Sequence, residues 1–300
     1  MRRPAAGEGT PVKPSAFEYE APETLGAALD LLAELGDEAK VLAGGQSLIP
    51  MLALRLTAFE HLVDIGPLAE LQGIERRNGH LRIGAGTVDR IVGRDAQVAA
   101  SVPLLTKVTP LIGHFQIRNR GTIGGSIAHA DPAAEYPTVA LVLDAELEVA
   151  SASATRVVPA AEFFMSTWTT SMEGDEVLVA IRFPVWSGRC GFGVEELARR
   201  HGDFALTGAV CGVETADSGE VRRCAIGLLG MDSTPIRAPA AEAALVGSTP
   251  SPDDLLEIGR LAVEDADPPA DLHASSEYRR RVGAEMVRRA LRQALEETAS

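Results

Sequence analysis

Hydrophobic positions along the chain change their period several times, and each change marks a new element. Between residues 22 and 36, Leu25, Ala28, Leu29, Leu32 and Leu35 share one side of a 3.6-residue repeat. That spacing predicts an amphipathic helix with Gly36 as its C-terminal stop. Val41 to Ala43 reads as a short buried strand, and residues 48–56 as a short apolar helix whose start is restrained by Pro50. HLVDI at 61–65 predicts another buried strand. GIERRNGHLRIGA alternates about Asn78-Gly79, the pattern of a hairpin closed by a type I′ turn. Residues 87–113 read mainly as helix, broken at Pro103 and again near Pro110.

Further on, residues 133–143 suit a helix and 145–150 a strand, followed by strands at 176–183, 190–198, 206–214 and 221–230. The polar turn ADSGE joins the last two. From about residue 236 the period is helical. The final stretch EYRRRVGAEMVRRALRQAL puts Val282, Met286, Val287, Ala290, Leu291, Ala294 and Leu295 on one face. Its arginines, Arg279 to Arg281 with Arg288, Arg289 and Arg292, are expected on a solvated face, with a docking surface for an acidic partner as the alternative. Mixed strands and helices, then an antiparallel sheet, then helices describe an α+β chain of two units, with a boundary near Pro184.

Composition removes several functions. The net charge of −14 opposes a nucleic-acid or anionic-membrane partner. No apolar run approaches the roughly eighteen residues of a membrane span. The opening MRRPAAGEGTPVKP has no apolar stretch behind its arginines, so residues 1–14 are expected to be a flexible extension and not a secretion signal. Cys190, Cys211 and Cys224 contain no CxxC pair, so by themselves they hold neither an iron–sulfur cluster nor a structural zinc. They are expected as small buried residues on strands of a reduced, cytoplasmic protein.

Two glycine segments carry the candidate chemistry: LAGGQSLIPML at 42–52 and RGTIGGSIAHADP at 120–132. Consecutive glycines after a strand can present a row of backbone N–H groups to a phosphate, which suits a chain with only three lysines. Ser47, Thr122 and Ser126 would add hydroxyl donors. Two tight turns without a ligand are the alternative. Neither GxGxxG nor GxxxxGK[ST] occurs here, which disfavours a Rossmann site and a P-loop. His129 and Asp131 are too few for a metal, and His201 sits in a polar turn. Ser126 lacks the GxSxG setting of a hydrolase nucleophile.

AGGQSLIPML and QIRNRGTIGGSIAHADPAAEYP resemble the two FAD-binding signatures of the molybdenum-hydroxylase flavoprotein subunits, the medium chains of the carbon monoxide dehydrogenase and xanthine dehydrogenase type. FEYEAPETLGAALDLL, HLVDI, LRIGAGT and RRHGDFALTGA extend the resemblance from about residue 15 onward. It implies a vanillyl-alcohol-oxidase-type (PCMH-type) FAD domain over 15–184, of two α/β subdomains at about 15–66 and 67–184. A C-terminal domain of antiparallel sheet and helices over 185–300 would follow. It further implies FAD contacts from Leu42, Ala43, Gly44, Gly45, Gln46, Ser47 and Leu48, and from Thr122, Ile123, Gly124, Gly125 and Ser126. Glu135 would lie near the flavin, Asp131 would orient that loop, and Leu178 would pack against the flavin region. Gly45→Val and Gly124→Val are each expected to abolish FAD binding in a folded protein.

The sequence departs from the family at one place: Glu195 and Glu196 stand where many relatives have a Lys close to the isoalloxazine, which implies either a changed flavin potential or a transfer of that role to Arg199 or Arg200. The implied activity is electron transfer from [2Fe-2S] clusters of a small subunit, fed by molybdopterin in a large subunit, to an acceptor such as NAD or a quinone. The implied assembly is two heterotrimers forming a heterohexamer. No side chain need act as acid or base for such transfer. The alternatives are a flavin-free assembly subunit and a stand-alone flavin oxidoreductase.

Overall fold

The computed structural model describes residues 13–299. Most of the expected N-terminal extension, residues 1–12, lies outside the described residues. Strand β1 (Glu18–Glu20), helix α1 (Leu25–Leu35), strand β2 (Ala39–Leu42), helix α2 (Leu48–Ala53) and strand β3 (His61–Asp64) form the first unit. The three strands are parallel in the order β1-β3-β2. Helix α1 begins where Thr24 Oγ1 accepts the Ala27 amide at 3.1 Å, and it stops at Gly36, whose φ is +55°. Its buried residues are Ala28, Leu29 and Leu32, the centre of the face read from the sequence.

The second unit opens with the hairpin β4 (Ile74–Arg77) and β5 (His80–Gly84). Asn78 and Gly79 both have positive φ, 49° and 78°, as a type I′ turn requires. Short helices follow: α3 (Asp89–Val92), α4 (Ala96–Ser101), α5 (Pro103–Val108), α6 (Phe115–Arg118), α7 (Ile123–His129) and α8 (Glu135–Val142). Strands β6 (Glu146–Ala150) and β7 (Thr155–Pro159) come next, then the turn of helix α9 (Ala160–Phe163). The small pair β8 (Phe164–Ser166) and β9 (Thr169–Thr170) and the strand β10 (Val177–Pro184) complete the unit. The main sheet is antiparallel in the order β4-β5-β10-β6-β7. Its central strand reads VLVAIRFP, with five consecutive buried residues, so it is an unbroken apolar run where the edge hairpin alternates.

The third unit is a four-stranded antiparallel sheet, β11 (Arg189–Ala198), β12 (Ala205–Thr215), β13 (Val221–Leu229) and β14 (Ile236–Arg237), backed by α10 (Pro239–Leu245), α11 (Pro252–Ala262) and α12 (Ser276–Thr298). Two glycines on one face of β11 set the helix distance. A Cβ on Gly191 or Gly193 would stand 1.9 Å from the carbonyl oxygen of Ala294 or Ala290 of α12. The buried face of α12 includes Met286, Val287, Ala290, Leu291 and Ala294, as its period predicts. Arg279 departs from the solvated face expected of it. It is 4% exposed, and it donates to Leu206 O and to Asp271 Oδ2. Arg288 and Arg289 each bond Glu285 at 2.7 Å on the same helix, and Arg280 donates to Ala266 O in the preceding loop.

Cys211 and Cys224 are buried on the neighbouring strands β12 and β13, and Cys190 is half-buried on β11. Burial pushes the Cys224 thiol up to about 12 and Cys190 up to about 11, so these thiols stay protonated and unreactive. Among the described residues, no helix is long and apolar enough to cross a membrane.

Candidate functional site

Strand β2 stops at Leu42, and Ala43 to Ser47 turn away from the parallel sheet before α2 starts at Leu48. Gly45 sits at φ +72°, a conformation that side chains other than glycine's rarely take. The carbonyls of this loop are used inside the chain: Gly44 O accepts from Gln46 Nε2 at 2.9 Å, and Gly45 O from the Ile49 amide at 3.1 Å. The amides of Gly44, Gly45, Gln46 and Ser47 have no acceptor among the described residues. A half-buried row of successive free N–H groups about a left-handed glycine has the geometry that can receive an anion.

The second glycine segment has another construction. Thr122 caps α7 and accepts the Gly125 amide at 3.0 Å. The Ile123 amide donates to Thr87 O at 3.1 Å, Gly124 to Ala85 O at 2.9 Å and Ser126 to Thr122 O at 3.0 Å. The first turn of α7 therefore has no free amide row, and in this respect the sequence reading is corrected. Gly124 is needed for packing: a Cβ there would lie 2.3 Å from Ala85 Cβ and 2.6 Å from Ala85 O. Gly125 and Ser126 remain half-buried, and the Ser126 hydroxyl has no partner among the described residues.

The fold brings the two segments into contact. A Cβ on Gly44 would stand 2.1 Å from Arg120 O and 2.8 Å from Gly121 Cα, and one on Gly125 would lie 3.5 Å from Ala43 Cβ. Gly44 therefore lets the first loop rest directly on the backbone that leads into α7. Sequence reasoning proposed both segments but could not supply this contact.

A group of acids surrounds the junction. Asp89 is 3% exposed and its Oδ1 has no partner; burial pushes it up to about 7, with Arg118 opposing. Glu135 opens α8, and burial, then the nearby Glu196, pushes it up to about 8. Glu196 has a buried, unpartnered Oε2, and burial raises it to about 7. Its neighbour Glu195, on the other face of β11, accepts from Gln293. Arg199 donates to His273 at 2.8 Å. The sequence singled out Glu135 and Glu196, while Asp89 carried no signal, because nothing local marks it for burial.

Asp131 accepts the Ala133 amide at 2.9 Å and the Trp168 indole N–H at 3.3 Å. Trp168, at φ +58° on the turn between β8 and β9, stacks on His129 with 6.3 Å between ring centroids. Burial lowers the pKa of His129. Leu178 on β10 is 3% exposed and lies in the same core as Ile123 and Ile127.

Comparison with known proteins gives two family matches. Residues 15–186 match the FAD binding domain in molybdopterin dehydrogenase, and residues 193–294 match the CO dehydrogenase flavoprotein C-terminal domain. The chain is 39% identical to the 6-hydroxypseudooxynicotine dehydrogenase complex subunit alpha of Paenarthrobacter nicotinovorans, over 95% of this chain and 96% of that protein. It superposes on a chain of the carbon monoxide dehydrogenase of Hydrogenophaga pseudoflava with a TM-score of 0.92 and 38% identity, covering 95% of this chain and 99% of the other. Quinoline 2-oxidoreductase from Pseudomonas putida 86 matches with a TM-score of 0.92 and 34% identity, over 96% of this chain and 100% of that one.

Proposed function

The chain belongs to the FAD-binding medium subunits of the molybdenum hydroxylase family, the carbon monoxide dehydrogenase and xanthine dehydrogenase type, and from that premise we propose how it holds and uses its flavin. It is an oxidoreductase subunit and FAD is its cofactor. The observation that carries the proposal is the open amide row of Gly44 to Ser47.

Its four N–H groups donate to the pyrophosphate, a fit that needs no lysine. Leu42, Ala43 and Leu48 shape the ends of that loop. Across from it, Gly125 offers a surface without a side chain and Ser126 a hydroxyl donor. Thr122, Ile123 and Gly124 act behind them by fixing α7 against Ala85 and Thr87. Asp131 steadies the loop after α7, and Leu178 backs the pocket from the core.

Bound FAD supplies a two-electron store. The chain's own residues position it and keep the surroundings from accumulating charge. Glu135, raised to about 8, keeps its proton at neutral pH, and Glu196, raised to about 7, is partly protonated there, so a site poor in cations gains less carboxylate charge from them. The division of the chain near Pro184 puts the two glycine segments in one domain and leaves the C-terminal sheet to shelter the acids.

The wider role is an electron relay. Electrons reach FAD from [2Fe-2S] clusters on a small subunit, which a molybdopterin-bearing large subunit reduces, and leave to an external acceptor. The complex is two heterotrimers in the cytoplasm. The three unpaired cysteines support a reducing compartment.

An absorbance spectrum of the purified chain, followed by dithionite and then candidate organic substrates, tests this reading. Flavin bands bleached by dithionite and untouched by substrates alone are expected. Direct reduction by a substrate would make the chain a stand-alone oxidoreductase. A colourless protein that takes up no added FAD would remove the amide row from the site.

A further inference from the structure

A cleft of about 210 Å³ opens where α3 and α6 meet the turn at Thr109–Leu111. Arg90 and Arg94 line it together with Arg118, Thr109, Phe115 and Asn119, none of which belongs to the amide row. The wall is tight: a Cβ on Gly93, also in the lining, would stand 2.6 Å from the Thr109 methyl carbon.

Charge makes the cleft unusual for this chain. The net charge is −14, and many arginines are already paired, such as Arg82 with Glu148, Arg156 with Glu176 and Arg237 with Asp144 and Glu242. Arg90 and Arg94 have no acceptor among the described residues. Asp95, next to Arg94, accepts the Gln97 and Val98 amides at 2.8 and 3.0 Å on Oδ1, and it lines the adjoining hollow with Arg90 and Arg94 without pairing with either. Arg118 uses Nη1 on the carbonyls of Pro110, Ile112 and Gly113, at 3.2, 2.7 and 2.8 Å, and shares its charge with Asp89 behind the wall. Three guanidinium groups line one concavity, two of them without an ion pair among the described residues, and an anion held there offsets their mutual repulsion. Their planar fork matches phosphate oxygens.

We propose that this cleft binds the phosphoryl groups of a nucleoside polyphosphate, with Arg90 and Arg94 gripping the oxygens and the ring of Phe115 carrying the base. Phe115 is 64% exposed at the site, and no ring among the described residues stacks on it. The volume, below the roughly 300 Å³ at which small-molecule pockets begin, takes phosphates and leaves the base on the rim. This site is separate from the flavin reading and does not depend on it.

Calorimetric titration of the FAD-loaded chain with ADP, pyrophosphate and adenosine tests the proposal, with flavin absorbance read in parallel. ADP and pyrophosphate are expected to bind, more weakly as salt rises, and adenosine not to bind. Arg90→Ala with Arg94→Ala should weaken both anions at least tenfold while flavin absorbance stays unchanged. Arg90→Lys with Arg94→Lys, which keeps the charge, should retain weakened pyrophosphate binding. Phe115→Ala should weaken ADP and spare pyrophosphate. No saturable binding of either anion at low salt overturns the proposal, and so does binding that the double alanine variant leaves intact. Loss of an acidic protein partner in that variant, with no ADP binding in the parent, would make the cleft a docking surface and would likewise overturn it.

Discussion

At Gly45 a valine side chain meets three obstacles together: a φ of +72°, Ile49 Cγ1 at 3.1 Å and Leu42 Cδ1 at 3.2 Å. The conformational strain is about 1–2 kcal/mol, and the added bulk sits beside the open amides. Gly45→Val is therefore expected to lose flavin while the apo chain keeps most of its stability. Gly124→Val meets the backbone of Ala85 instead, and helix α7 has to move. It should destabilise the apo chain by about 3 kcal/mol and lose flavin only as a consequence of that shift. Flavin-to-protein absorbance ratios, set against urea unfolding of the apo forms, separate the two. Equal stability losses with equal flavin losses would contradict the different roles assigned here. In the sequence the two GG pairs look alike. What distinguishes them is Ala85, a tertiary neighbour that no local pattern could name, whereas the glycines themselves and their flanking hydroxyl residues were legible because strand-end glycine runs have few purposes.

Among the elements, α12 shows where periodicity succeeds and where it stops. Its apolar face was readable because a 3.6 repeat over a long helix has one interpretation. Arg279 was not, since a buried guanidinium looks the same in sequence as a solvated one. Arg279→Ala removes the donor to Leu206 O and leaves Asp271 without its cation, at a cost on the order of 3 kcal/mol. Arg279→Lys should recover little of it, because one ammonium does not reach both acceptors in the same planar geometry. On the facing strand, Gly191 and Gly193 contradict β propensity, yet they are required by the approach of Ala290 and Ala294. Gly193→Val is expected to push α12 off the sheet and lower stability by about 1–3 kcal/mol or more, read as a shift in the urea midpoint at unchanged slope. If that midpoint does not move, the helix is not seated on the glycines. The strands β1 (EYE) and β7 (TRVVP) escaped the sequence reading because they are short edge segments defined by their partners.

For the molecule as a whole, the buried acids set a pH dependence whose sign can be worked out. Glu135 and Glu196 have an ordinary value of 4.5 and Asp89 of 3.8; in the fold they rise to about 8, 7 and 7. Between those values the unfolded chain has released protons that the folded chain keeps. The stability these groups contribute is therefore complete below about pH 4 and is lost as pH rises through 7 to 8. Glu176, Asp271 and Glu285 have lowered values, Glu285 of about 2, so their contribution is present at neutral pH and is lost as pH falls through the folded values. His129, whose value is lowered by burial, opposes the acids only as pH rises towards 6.5, above which its contribution is complete. The balance places the stability maximum of the apo chain on the acid side of neutrality, with a decline that levels off above about pH 8. Glu135→Gln combined with Glu196→Gln keeps the shapes and removes two of the three titrations, leaving that of Asp89, which Arg118 opposes. The variant should show a flatter melting temperature between pH 6 and 9, and a higher one than the parent at pH 9, by thermal melts of apo protein in matched ionic strength. A parent that melts no lower at pH 9 than at pH 6, or a double variant with the parent's slope, would mean that these carboxyls are already ionised in the fold. The neutral surroundings proposed for the flavin would then be lost with them.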